Sequence, residues 1–113
     1  MVDLSFLVSF TKGSEEKMKR YINIYLSVAP SVFEKMEQNI IEQDWDQLRI
    51  NAHSLKPQAD YMGIPALKAI LIEIEQSVHE GQFKILPNLY EQASRIHTES
   101  IPYLEAVVKS RWI

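Results

Sequence analysis

Apolar residues recur at steps of three and four along nearly the whole chain, and nowhere do they alternate for long enough to make a strand. The cleanest stripe is Trp45, Leu48, Ala52, Leu55, Ala59 and Met62, a helix opened at or just before Asp44 and closed by Gly63. Upstream, Ser14 reads as an N-cap, followed by Glu15 and Glu16 in the first turn, where carboxylates favour the helix dipole. Met18, Tyr21 or Ile22, and Tyr25 carry that helix to about Val28. Pro30 suits a first helical turn, so the pattern predicts a break there and a new stripe of Phe33, Met36 and Ile40. Pro65 starts a further helix bearing Leu67, Ile70, Leu71, Ile74 and Val78, and Gly81 closes it. A last, longer helix carries Leu86, Leu89 or Tyr90, Ala93, Ile96, Ile101, Leu104 and Val108, with a bend expected at Pro102. A short helix from Leu4 to Phe10 is expected to cover one end. Short connections make consecutive helices antiparallel neighbours. The predicted fold is therefore all-α: an up-down antiparallel four-helix bundle with a short additional N-terminal helix, one domain over residues 1–113.

Composition narrows the chemistry. The chain has 113 residues, enough for one buried core, and no cysteine, which excludes disulfides, thiolate zinc sites and a cysteine nucleophile. Twelve basic against fifteen acidic residues, net −3, give no general attraction to nucleic acid or an anionic membrane. Apolar runs are short, such as Ala69 to Ile72, and too brief to span a bilayer. Asp3 stands where a secretory signal needs a basic start, so a cytoplasmic location is expected. Gly13, Gly63 and Gly81 are too scattered to build a phosphate-cradling loop.

Beside the apolar stripe of the Asp44–Gly63 helix runs a polar row, Arg49, His53, Lys56 and Asp60, spaced four, three and four. Two cations beside an imidazole favour its neutral form, which keeps a free lone pair on one ring nitrogen. A neutral imidazole is a nucleophile toward phosphorus, and the same cations could hold the phosphoryl oxygens. The other histidines point elsewhere. His79 falls near a helix C-terminus, where a cation complements the dipole, and His97 falls at the edge of an apolar stripe. A carboxylate-bridged di-metal bundle needs Glu three residues before its histidines; Ile50, Gln76 and Ser94 occupy those positions, and no metal site is expected.

The string AHSLKPQADYMG, Ala52 to Gly63, resembles the signature of histidine-containing phosphotransfer (HPt) domains. In that family the histidine is followed by Leu two on, Lys three on, usually Gly four on, and Gly ten on; here stand His53, Leu55, Lys56, Pro57 and Gly63. Upstream, YLSVAPSVFEKMEQNIIEQDWDQLRINAH is similar to the family's proline-started second helix and the Asp-aromatic start of its histidine helix. Downstream, Leu67, Ile70 and the pair Ile74-Glu75 fall where the family carries its leucines and a Leu-Glu or Leu-Gln pair. The likeness runs from about Leu4 to Val108, with only the histidine string specific.

The resemblance implies a phosphorelay intermediary and not an enzyme in its own right. His53 would accept a phosphoryl group at Nε2 from an aspartyl phosphate on a response-regulator receiver domain, one of a hybrid histidine kinase among them, and pass it to another. Lys56 would neutralise the phosphoryl oxygens. Glu75 would accept a hydrogen bond from Nδ1–H and so orient the ring, and Gly63 would end the helix. The receiver would bring the Mg²⁺, so this chain needs no cofactor, and it would act as a monomer.

The departure from the family pattern is Pro57. It either makes a local kink that leaves the imidazole open, or re-aims His53 and narrows which receivers can dock, or disables transfer. The latter outcome would leave a pseudo-HPt module that only docks receivers. Asp60, one turn beyond Lys56, is placed to pair with it and weaken its hold on phosphate. Arg49, Pro57, Asp60, Tyr61 and Ile64 are expected to meet the partner, Tyr61 and Ile64 (with Pro65) as an apolar docking rim, the alternative being that most of these apolar residues join Met62 in the core.

Overall fold

The computed structural model describes residues 2–110, and among them every regular element is helical. In chain order these are α1 (Ser5–Thr11), α2 (Glu15–Ile41), α3 (Trp45–Met62), α4 (Pro65–His79) and α5 (Leu86–Lys109), the last preceded by a single 3₁₀ turn, Phe83–Ile85. None is long and apolar enough to cross a membrane. α3 packs between α2 and α4, α4 packs on α5, and α5 returns to α2, so the four long helices enclose one core; α1 lies against α2 and α3.

The expected helix starts hold. Ser14 caps α2 by accepting the Lys17 N–H at 3.2 Å, and Asp44 caps α3 by accepting the Gln47 N–H at 3.3 Å. The expected break at Pro30 is absent: α2 runs on as one helix of 27 residues. Pro30 is exposed, while Ile22, Tyr25, Ala29, Phe33 and Met36 keep one unbroken buried stripe on either side of it. A proline inside a helix costs roughly 3 kcal/mol. Burying an in-phase stripe of this length returns more than that, since each large apolar side chain contributes about 1.5–3 kcal/mol. Pro57 and Pro102 are likewise exposed, within α3 and α5.

Gly63 ends α3 with φ at +63°, a left-handed conformation that disfavours any side chain. Its N–H donates to the Asp60 carbonyl at 3.1 Å and the following Ile64 N–H donates to the Ala59 carbonyl at 3.0 Å, the paired bonds of a Schellman motif. That motif turns the residue after the glycine back onto the helix it has just ended. Ile64 is accordingly fully buried, which removes it from the docking rim expected of it. Gly63 serves a second purpose. Its carbonyl accepts the Asp3 N–H at 2.7 Å, and a Cβ at this position would collide with the Asp3 backbone.

Candidate functional site

With Leu48, Ala52, Leu55, Ala59 and Met62 committed to the core, helical geometry leaves His53 on the outer face of α3, its side chain 66% exposed. Packing of α4 against α3 brings Glu75 to it. Glu75 Oε2 lies 3.2 Å from His53 Nδ1, and Glu75 Oε1 lies 2.9 Å from Lys56 Nζ. The second contact is an ion pair rather than a well-aligned hydrogen bond, with Oε1 itself shielded from solvent. A carboxylate only accepts, so this arrangement places the ring proton on Nδ1 and the lone pair on Nε2. No group among the described residues bonds Nε2. One half-buried carboxylate thus holds both the imidazole and the neighbouring cation.

The remaining candidates divide. Asp60 does not pair with Lys56: it meets Lys68 of α4 at 2.9 Å, because Lys56 is already engaged by Glu75 and α4 places Lys68 opposite Asp60. Arg49 pairs with Asp46 on its own helix at 3.0 Å. Both expected cations are therefore held by carboxylates instead of facing the imidazole unpaired. Arg49, Lys56, Ile72, Glu75, Gln76 and His79 line a cleft of about 360 Å³ between α3 and α4, beside His53. His79, in the last turn of α4, is exposed there. Pro57 is exposed one turn beyond His53.

Tyr61 is half-buried and joins a group of rings: Tyr21 of α2 stacks on it at 5.3 Å, and Phe10 and Phe6 of α1 approach at 5.2 and 5.8 Å. Phe6 and Phe10 are about half exposed, so the group forms an aromatic surface at this end of α3. The sequence signal for it was present, two aromatics four apart on a short helix, yet unpaired periodicity does not say which rings across the fold they meet.

His97 lies deeper than an edge position, at 5% exposure. The Tyr25 hydroxyl and His97 Nδ1 share a hydrogen bond of 2.6 Å and the Phe33 ring stacks on the imidazole at 4.6 Å, tying α5 to α2. Burial pushes the His97 imidazole below its usual pKa and the Tyr25 hydroxyl above its own. His97 is a packing residue, far from solvent in its role. Among the described residues no group of three or more His, Asp or Glu could hold a metal ion.

The family model of the Hpt domain matches residues 20–107, a stretch containing His53, Lys56 and Glu75. The chain belongs to the Hpt domain family. No curated protein and no solved structure matches it. Hpt domains are phosphocarrier modules of two-component phosphorelays rather than classical enzymes, and they work with receiver domains. In this Hpt domain the aromatic helix α1 lies outside the matched stretch, whereas the His53–Glu75–Lys56 group lies within it.

Proposed function

We propose that this Hpt domain carries a phosphoryl group on Nε2 of His53 between the aspartates of two receiver domains. The observation that carries the reading is the shared carboxylate of Glu75 behind an exposed imidazole. The Nε2 lone pair attacks phosphorus of the receiver's aspartyl phosphate in line with the departing carboxylate oxygen. The P–O bond breaks with its electron pair staying on that oxygen, and a P–N bond forms. Nδ1 keeps its proton, so the ring becomes a phosphorylated imidazolium, and the adjacent Glu75 carboxylate stabilises the new positive charge. Onward transfer reverses the same steps with a second receiver.

Positioning and charge stabilisation are most of what phosphoryl transfer asks of a protein. Glu75 supplies both from behind the ring. Lys56, beside Glu75 and one turn from His53, is the cation that neutralises the transferred oxygens. The receiver supplies the Mg²⁺ and the acidic residues that hold it; this chain supplies one oriented histidine. Arg49, Pro57, Asp60 and Tyr61 surround the approach to it. The short connections at 42–44, 63–64 and 80–85 support an alternating, up-down course for the four long helices.

Incubation with a phosphorylated receiver should transfer acid-labile label to the wild-type protein and none to His53→Ala. Absence of label with every receiver of the same organism would leave a module that docks receivers without carrying phosphate.

A further inference from the structure

Residues seven apart on a helix lie nearly on one line, which gives His53 two unlike flanks. Arg49 and Lys56 share the flank that faces the α4 cleft around Glu75. Ile50 and Pro57 share the opposite flank, and both are exposed. From Pro57 the same row continues four residues on to Tyr61 and the rings of Phe10 and Phe6. An incoming domain therefore meets the imidazole between a charged wall and an apolar one, and Pro57 is the part of the apolar wall next to His53 on the C-terminal side.

Pro57 has two further consequences there. Helical Cβ atoms tilt toward the N-terminus, so its rigid ring leans back toward the imidazole. It has no N–H, so the His53 carbonyl loses the donor that would lie one turn on, and no side chain of the described residues replaces it. The ring is a fixed apolar feature beside whatever closes over Nε2.

Resting on the phosphocarrier reading, we propose that Pro57 is a specificity-determining residue that selects among receivers. It favours those with a small side chain opposite its ring. Specificity is a difference between partners, and a misfit of methylene size is worth about tenfold or more.

The test loads His53 with phosphoramidate, a small donor that needs no docking, and then measures transfer to a panel of receiver domains. Wild type, Pro57→Gly and Pro57→Ala are compared, with Pro102→Ala as a control for relieving an exposed helical proline far along the chain. Chemical loading is measured first and each transfer rate is read per loaded protein, which separates a change at His53 itself from a change in receiver fit. The spread in rate between the best and worst receivers should shrink by about tenfold in both Pro57 variants and stay unchanged in Pro102→Ala. A common factor across all receivers, or no change, overturns the proposal. If phosphoramidate never labels His53, the phosphocarrier reading itself fails. Binding titrations with the same receivers then decide the selection by Pro57 separately, and an unchanged ranking overturns it.

Discussion

Removing Glu75 tests the site most directly, because one side chain holds two partners. Its Oε2 accepts from His53 Nδ1 at 3.2 Å and its Oε1 faces Lys56 Nζ at 2.9 Å. On phosphorylation the ring gains a full positive charge next to that carboxylate. A hydrogen bond to a charged group is worth about 1.5–3 kcal/mol. The His53 side chain is 66% exposed, so solvent screens the pair and the lower end applies. About 1.5 kcal/mol corresponds to a rate lower by roughly tenfold. Glu75→Ala should therefore accept phosphate from a receiver roughly tenfold more slowly. Glu75→Gln keeps a neutral acceptor for Nδ1–H and should fall between, about threefold slower than wild type. Rapid-quench measurement of the first turnover reads both. The stability effect should be small, because a partly exposed ion pair is worth about 0–1 kcal/mol, so circular dichroism should find the helices intact. If the folded Glu75→Ala protein loads within a factor of two of wild type, Glu75 does not orient or stabilise the imidazole.

Three other outcomes follow from the packing. Burial holds the His97 pKa below that of an unfolded histidine, so the unfolded chain binds the proton first as pH falls. His97 therefore leaves stability whole above about pH 6.5 and erodes it as pH falls from there toward its folded value. The urea midpoint should drop between pH 7 and pH 5, and His97→Leu should flatten that drop; an equally steep profile in the variant assigns the acid sensitivity elsewhere. Gly63→Ala should lose at least about 1–2 kcal/mol from the left-handed backbone alone. It should also release the Asp3 contact, seen as faster hydrogen exchange over residues 3–11 in native conditions. Pro30→Ala should stabilise the protein by about 1–3 kcal/mol in chemical denaturation, since the proline is exposed and α2 is already helical through it. No gain there would mean that Pro30 costs the native helix nothing.

What could be read along the chain is what depends on near neighbours in it. Ser14 and Asp44 cap because a side-chain oxygen reaches an N–H three residues on, and Gly63 stops α3 because glycine enters a left-handed turn at no steric cost. The row Arg49, His53, Lys56, Asp60 was legible for the same reason, as a matter of turns on one helix. Three readings made on local rules alone gave way. Pro30 has the residue type of a first helical turn, yet the buried stripe on both sides holds α2 together. Ile64 looked like a rim residue, yet the turn after Gly63 folds it into the core. Asp60 looked like a partner for Lys56 by its spacing, yet Lys68 across the helix pair claims it.

Glu75 shows the division within the site itself. Its likeness to the family's Glu or Gln position suggested a hydrogen bond to His53, and the geometry places it there. That it holds Lys56 with its other oxygen had no signature, since it depends on the height and rotation of α4 against α3. Helix ends, stripes and the polar face of α3 follow from hydrogen-bond and steric rules that act over a few residues. Which carboxylate meets which cation, and which aromatic rings gather around Tyr61, follow from the register between helices. Burial of the shared core sets that register, and no window of sequence contains it.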